Sequence, residues 1–135
     1  MAPTPQVLIG KRVLIVEDEF AVALMIEDFL ADFGCLTIGP CSTVSKAMEA
    51  VRTQSFDLAV LDVNLNGERI YPVADALACR GIPFLFVSGY GDGAILPGHD
   101  DWKVCAKPFK GNDLAAMLAA VLHAAGEARI RASQI

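Results

Sequence analysis

Basic residues are few in this sequence, and they do not cluster. Lys and Arg together number 11 against 16 Asp and Glu, so the formal net charge is -5. Because contacts to nucleic-acid phosphates need clustered Lys and Arg, this balance argues against a nucleic-acid partner. No apolar run approaches the ~20 residues that a membrane-spanning helix needs. Residues 1–10 also lack the basic-then-apolar layout of a signal peptide. We therefore expect a soluble, cytoplasmic protein that has no membrane partner.

Cysteine is present but forms no recognisable motif. The four cysteines, Cys35, Cys41, Cys79 and Cys105, match no zinc-binding or redox spacing. We expect reduced, mostly buried thiols. The chain is 135 residues long, with 54% hydrophobic and 20% charged residues. A chain of this length and composition can bury one core without disulfide bonds or a structural metal.

Short apolar runs alternate along the chain with segments of helical periodicity. The runs at 13–16, 36–38, 58–61, 84–87 and 102–106 predict five strands, and the segments between and after them predict helices. This alternation indicates parallel βαβ units with right-handed crossovers. We predict an α/β fold, a flavodoxin-like three-layer sandwich whose five-stranded parallel sheet has the order 2-1-3-4-5, with helices on both faces.

Turn and capping residues predict the element boundaries. Thr43 and Asn112 suit helix N-caps, and Pro72 suits the first turn of a helix. Residues 64–67 and most of 89–101 read as loop. We expect a flexible leader over 1–10, one domain over 11–125 and a C-terminal tail over 126–135.

Polar residues stand at the carboxyl ends of the predicted strands, where open parallel sheets bind ligands. Glu17 and Asp18 follow the first strand, Asp62 ends the third, Ser88 ends the fourth and Lys107 follows the fifth. Adjacent carboxylates repel one another and favour a bound cation, and hard oxygen ligands suit Mg²⁺. A carboxylate can also attack phosphorus, while a hydroxyl and a lysine hold the remaining phosphoryl oxygens.

Each of these residues also has an ordinary explanation. Asp62 could begin a turn, Glu17 and Asp18 could stabilise a helix N-terminus, and Lys107 could be a solvated surface residue. The functional interpretation depends on all of them occurring together at successive strand ends.

The chain resembles the receiver domain of two-component response regulators. The matching segments are VLIVEDE at 13–19, DLAVLDVNLNGE at 57–68, PFLFVSGYG at 83–91 and KPF at 107–109. The resemblance implies that Asp62 is the phosphoacceptor. It also implies that Glu17, Asp18, Asp62 and the backbone carbonyl of Asn64 surround a Mg²⁺ ion, with Asp18 the likelier direct ligand of the acidic pair.

The resemblance assigns roles to the other strand ends as well. Ser88 takes the switch Ser/Thr position, and Lys107 takes the conserved lysine position, before a proline that receivers often have in a cis peptide. The implied donor is a phosphohistidine on a sensor histidine kinase or a phosphotransfer protein. The resemblance further implies a domain that catalyses its own phosphorylation and dephosphorylation, and a signalling protein, not an enzyme, that switches contacts with an output protein.

Two departures from the common receiver pattern concern the switch. Receivers commonly have Tyr or Phe three residues before the lysine, where this chain has Val104. The fourth helix is expected to be short. Both traits, with FVSGYG, resemble the F-x-T-G-Y-G branch, which is typical of alphaproteobacteria and linked to HWE-type kinases. We hypothesise that in this branch the loop around Tyr90 and Gly91 takes over the role of the missing aromatic residue, so we expect activation to perturb residues 89–101 most. Tyr90 could cover the phosphoryl site or could equally be an ordinary surface aromatic residue.

Other functions remain open at this stage. A haloacid-dehalogenase-type phosphatase would use Asp62 as nucleophile but needs a second Asp where this chain has Asn64. A flavin-binding module would need a phosphate-cradling loop after the first strand, where Glu17, Asp18 and Glu19 stand instead. A degenerate receiver could act by binding alone. The last helix is best explained by core packing, with a homodimer or partner interface as a secondary alternative.

Overall fold

A computed structural model describes residues 5–89 and 102–133 of the chain. A 3-10 helical turn, Gln6–Leu8, comes first. The strands are β1 Arg12–Val16, β2 Leu36–Cys41, β3 Leu58–Asp62, β4 Asn64–Leu65, β5 Glu68–Arg69, β6 Phe84–Ser88 and β7 Val104–Ala106. The helices are α1 Phe20–Asp32, α2 Val44–Thr53, α3 Tyr71–Cys79 and α4 Gly111–Ser133. The predicted short fourth helix and Tyr90 lie outside the described residues.

Five of the strands form one parallel sheet in the order β2-β1-β3-β6-β7. The two-residue strands β4 and β5 pair with each other in a separate antiparallel hairpin. Without that hairpin the order is 2-1-3-4-5, so the predicted flavodoxin-like fold is confirmed. Residues 64–67, predicted as loop, form the first strand and the turn of this hairpin.

The sheet buries both of its faces, as a doubly wound sheet must. Successive side chains of a strand point to opposite faces, so Leu14 and Val16 of β1 join one core while Val13 and Ile15 join the other. The first core packs under α2 and α3, and the second under α1 and α4. This arrangement explains why the central strands read as continuous apolar runs.

The local signals placed most boundaries correctly. The hydroxyl of Thr43 accepts a hydrogen bond of 3.1 Å from the backbone N–H of Lys46 and caps α2, as predicted. Pro72 lies in the first turn of α3. Two bounds differ: β7 begins at Val104 instead of residue 102, and α4 begins at Gly111, so Asn112 lies inside the helix.

Parts of the expected leader and tail lie in helical elements, the 3-10 turn Gln6–Leu8 and α4. Leu8 is fully buried in the core beneath α1 and α4, and the N–H of Gly10 donates to the carbonyl of Gly34 at 2.8 Å. An apolar side chain and a backbone hydrogen bond therefore join residues 5–10 to the rest of the fold. At the other end α4 continues without interruption to Ser133, so most of the expected tail is helical.

The described residues contain no helix that is long and apolar enough to cross a membrane. All four cysteines lie in the described part of the chain as free thiols: Cys35, Cys41 and Cys105 are buried, whereas Cys79 is exposed.

Candidate functional site

The strand register brings the predicted site residues to one edge of the sheet. Val16 pairs with Leu61, so Glu17, one residue further, lies beside Asp62. Asp62 in turn pairs with Val87, directly before Ser88. The carboxyl ends of β1, β3 and β6 therefore meet, as the alternating strand pattern predicted.

Three polar residues at this edge are buried. Glu17 is 2% exposed, Asp62 is 7% exposed and Ser88 is 1% exposed. Buried carboxylates are costly unless charge or hydrogen bonds compensate them. The compensating groups around them therefore define what the site can bind.

Lys107 supplies positive charge to this pair of carboxylates. Its Nζ donates a hydrogen bond of 3.1 Å to Oε1 of Glu17 and lies 3.6 Å from Oδ1 of Asp62. The N–H of Lys107 donates to the carbonyl of Ser88 at 2.8 Å, which ties the end of β7 to the end of β6. The peptide bond before Pro108 is cis, as the resemblance suggested.

Asp18 completes the acidic cluster. It is half-buried, and its Oδ2 accepts a hydrogen bond of 3.0 Å from the backbone N–H of Asn66. The N–H of Glu19 donates to Oε2 of Glu17 at 3.2 Å. One carboxylate oxygen from each of Glu17, Asp18 and Asp62 lies within 4.8 Å of the other two. Hard oxygen donors at this spacing fit a Mg²⁺ ion, which takes few carboxylates and keeps several waters.

The electrostatics of the metal-free site show an excess of negative charge. Burial, followed by the neighbouring Asp62, raises the pKa of Glu17 to about 7. Burial also raises the pKa of Asp62. Burial alone would lower the pKa of Lys107, but its contacts with Glu17 and Asp62 outweigh that effect and raise it. A bound divalent cation would place positive charge beside these buried carboxylates and so favour their ionised forms.

The loop after β3 carries Asn64 and a residue that the sequence analysis missed. The amide Oδ1 of Asn64 accepts a hydrogen bond of 3.1 Å from the N–H of Gly67. This oxygen therefore faces the turn and not the acidic cluster. Asn66, which was not predicted as a site residue, binds Asp18 through its backbone. The Asn66-Gly67 dipeptide was the available signal, since Asn-Gly favours two-residue hairpin turns.

The predicted switch residues are only partly described. Ser88 is buried at the end of β6. Val104 is half-buried on β7, pairs with Phe86 and packs against the core under α2 and α3. The aromatic rings of Phe84, Phe86 and Trp102 pack edge-on in the same region, with centroids 5.3 to 5.5 Å apart. Tyr90 and the loop around it fall in the part of the chain that is not described.

Comparisons with known proteins agree with this geometry. A family model described as the response regulator receiver domain matches residues 13–119. A search of curated protein sequences finds no match.

Solved structures share the fold and, in one case, much of the sequence. The chain is 42% identical to SdrG from Sphingomonas melonis Fr1, covering 85% of this chain and 98% of that one, with a TM-score of 0.75. It is 43% identical to the BeF3-activated conformation of SdrG, given there as from Pseudomonas melonis Fr1, covering 82% and 95%, with a TM-score of 0.71.

A more distant structure contains a metal. The receiver domain of the sensor histidine kinase PA1611 from Pseudomonas aeruginosa PAO1 has a magnesium ion coordinated in its active-site cleft. It is 21% identical, covering 84% of this chain and 98% of that one, with a TM-score of 0.70, and so demonstrates a shared fold. With the family-model match and the SdrG likeness, the acidic cluster beside a lysine identifies this chain as a member of the response regulator receiver domain family, a phosphoryl-accepting module of two-component signalling.

Proposed function

We propose that Asp62 is the phosphoacceptor of this receiver and that Mg²⁺ is its cofactor. The observation that carries the proposal is the position of the Asp62 carboxylate. It lies at the end of the central strand, 3.6 Å from the Nζ of Lys107 and beside the carboxylates of Glu17 and Asp18. A nucleophilic carboxylate between a cation site and a lysine suits phosphoryl transfer.

The transfer step is a displacement at phosphorus. An oxygen of Asp62 forms a bond to phosphorus, the P–N bond of the phosphohistidine breaks, and the imidazole nitrogen keeps the electron pair and takes up a proton. Lys107 binds one phosphoryl oxygen and the hydroxyl of Ser88 binds another in this proposal. Lys107 then exchanges part of its contact with Glu17 for the new phosphoryl group.

A divalent cation would be held by Asp18, Asp62 and the backbone carbonyl of Asn64, with Glu17 reached through a metal-bound water. When bound, the cation supplies positive charge that offsets the charge on the carboxylate and the incoming phosphoryl group. The spacing of the carboxylates supports this assignment, because one oxygen from each of Glu17, Asp18 and Asp62 lies within 4.8 Å of the other two.

The direct test is chemical phosphorylation followed by intact-mass measurement. With Mg²⁺ and acetyl phosphate or phosphoramidate, we expect the mass of the protein to rise by one phosphoryl group. Asp62→Asn should show no adduct. Asp75→Asn, a matched substitution on the exposed face of α3, should react like the wild type. Removing Mg²⁺ with a chelator should suppress the reaction.

Two results would contradict the proposal. An adduct that persists in Asp62→Asn would move the acceptor elsewhere. The absence of an adduct from every donor, including phosphorylated kinases, would favour a degenerate receiver that acts by binding alone. The haloacid-dehalogenase alternative is disfavoured because Asn64, at the position of its second Asp, has no acid–base function and binds Gly67 instead.

We also propose that the phosphoryl donor is a histidine kinase, of the HWE type, or a phosphotransfer protein, and that it contacts the start of α1. Phe20 is 79% exposed and Leu24 is 45% exposed. They are four residues apart and so share one face of the helix. Phe20 directly follows the acidic residues of the site, so a protein that presents a phosphohistidine to Asp62 comes close to this apolar pair.

The FVSGYG segment and Val104 support membership of the F-x-T-G-Y-G branch, with which HWE-type kinases are linked.

Comparing a protein donor with a small donor tests this contact. A panel of phosphorylated kinases and phosphotransfer proteins first identifies the fastest protein donor. Phe20→Ala should slow transfer from that donor by about 10-fold, which is the usual effect of removing an aromatic anchor from a protein interface. The rate with acetyl phosphate should not change. Leu36→Ala is the control, because Leu36 is 60% exposed at the opposite end of the sheet. Equal slowing with both donors would indicate damage to the site and contradict a docking role.

A further inference from the structure

We propose that the side chain of Asn64 is a positioning group for the cation site, because it closes the turn whose Asn66 amide holds Asp18 in place. This inference rests on the proposed function, in which Asp18 is a direct ligand of Mg²⁺. It assigns a role to the side chain of Asn64, a residue of which only the backbone carbonyl was expected to contribute to the site.

The contact between the turn and the acidic cluster is direct. The N–H of Asn66 donates to Oδ2 of Asp18 at 3.0 Å, although the two residues are 48 positions apart in the sequence. A carboxylate with one oxygen held in this way presents its other oxygen in a restricted set of directions. Groups that orient metal-binding carboxylates by hydrogen bonds raise the affinity of the site.

The turn adopts a backbone conformation that needs support. Asn66 has a φ of 51° and Gly67 a φ of 90°, the left-handed pair expected of a two-residue hairpin turn. The flanking strands β4 and β5 contain two residues each, too few to hold a hairpin by themselves. The hydrogen bond of 3.1 Å from the N–H of Gly67 to Oδ1 of Asn64 closes the turn from within.

The base of the hairpin is anchored independently of its tip. Leu65 is 1% exposed and Ile70 is fully buried, and the N–H of Ile70 donates to the carbonyl of Val63 at 3.1 Å. Asn64, Asn66 and Gly67 are exposed. Changing Asn64 should therefore loosen the tip and release the Asn66 amide while the fold persists.

The experiment measures Mg²⁺ affinity by calorimetry in the full chain. Asn64→Ala keeps the backbone carbonyl but loses Oδ1, and we expect its dissociation constant to rise by about 10-fold. Asn64→Ser retains a hydroxyl that closes such turns more weakly and should recover part of the loss. Gly67→Ala should also weaken binding, since its added Cβ meets open space and acts only through the positive φ. Asn112→Ala, an exposed asparagine in the first turn of α4, is the matched control and should bind as the wild type does.

A second measurement uses the metal-free protein. Amide hydrogen exchange of Asn66, followed by NMR, should be slow in the wild type and faster in both Asn64→Ala and Asp18→Ala. Faster exchange in Asp18→Ala would identify Asp18 as the partner of the Asn66 amide, and unchanged exchange in Asn64→Ala would overturn the positioning role.

The outcomes separate this inference from the proposed function. If the wild type binds Mg²⁺ and forms the Asp62 adduct but Asn64→Ala binds Mg²⁺ equally well, the positioning role is overturned and the proposed function stands. If the wild type binds no Mg²⁺, both are overturned.

Discussion

Glu17 is a buried carboxylate whose surroundings act on its pKa in opposite directions. It is buried beside a second carboxylate, and its two oxygens accept hydrogen bonds from Lys107 and from the N–H of Glu19. Those two contacts act to lower its pKa, but burial and Asp62 raise it to about 7. In the proposed function a cation lies beside Glu17, and its positive charge would offset the cost of burying this carboxylate.

The raised pKa of Glu17 predicts how the stability of the metal-free protein depends on pH. The folded protein holds the proton up to a pKa of about 7, whereas the unfolded chain releases it near 4.5. The free energy of unfolding should therefore fall as pH rises from 4.5 to 7, by up to about 3 kcal/mol, and the raised pKa of Asp62 acts in the same direction. Urea unfolding in a chelator, followed by the fluorescence of Trp102, measures this trend.

Matched variants test whether Glu17 causes the trend. Glu17→Gln should flatten the pH dependence, whereas Glu127→Gln, at an exposed position on α4, should not. Adding Mg²⁺ at pH 7 should stabilise the wild type by mass action. Equal slopes in the two variants would show that another group is responsible.

A few hydrogen bonds to backbone N–H groups stabilise the ends of individual helices and strands. α2 begins where the Thr43 hydroxyl satisfies the N–H of Lys46, and the exposed hairpin tip depends on the contact of Asn64 with Gly67. The backbone N–H of Arg12, at the start of β1, donates to the carboxylate of Asp57 at 2.8 Å. Each contact satisfies a backbone donor at the end of an element.

The cap of α2 provides a prediction at the scale of one helix. Thr43→Ala should lower the free energy of unfolding by about 1 kcal/mol, because an N–H in the first turn of the helix loses its partner. Thr43→Ser keeps a hydroxyl at the same position and should remain close to the wild type. Chemical unfolding measures both, and equal destabilisation by Ala and Ser would argue against capping as the cause.

Across the whole molecule, two cores on opposite faces of one sheet hold the site edge in place. The core beneath α1 and α4 includes Leu8, so the segment before β1 belongs to the folded unit. The Sγ of Cys35 donates to the carbonyl of Leu8 at 3.3 Å, which adds a polar contact to the packing. The N-terminal segment therefore closes the end of the sheet opposite Asp62.

Truncating the Leu8 side chain should destabilise the entire domain. Leu8→Ala should cost about 2–5 kcal/mol in the free energy of unfolding, the usual range for a fully buried leucine. Val7→Ala, at a neighbouring position that is 45% exposed, should cost less than about 0.5 kcal/mol. If both variants unfold at the same urea concentration, the segment is loose in solution.

The fold and the cluster of site residues could be predicted because they depend on local signals. Apolar runs bounded by Gly, Pro and polar residues predicted the strands, and the flavodoxin-like fold predicted their order. Asp62, Ser88 and Lys107 were chosen as candidates because they end or follow such runs. Leu8 was missed because the apolar run at 7–9, which follows two prolines, is too short to show a periodicity. The bond from Asn66 to Asp18 was missed because a backbone amide has no signature in the side-chain sequence.

The sequence by itself was enough to predict the α/β alternation, because that follows from periodicity. The resemblance of its motifs and their spacing indicated the family and the edge of the sheet where the chemistry is expected. Tertiary structure decided which groups touch. Lys107 binds Glu17 from 90 positions away, and Asn66 reaches Asp18 across 48. Such contacts depend on strand register and on how the two cores pack, which are collective properties of the folded chain and not of any segment within it.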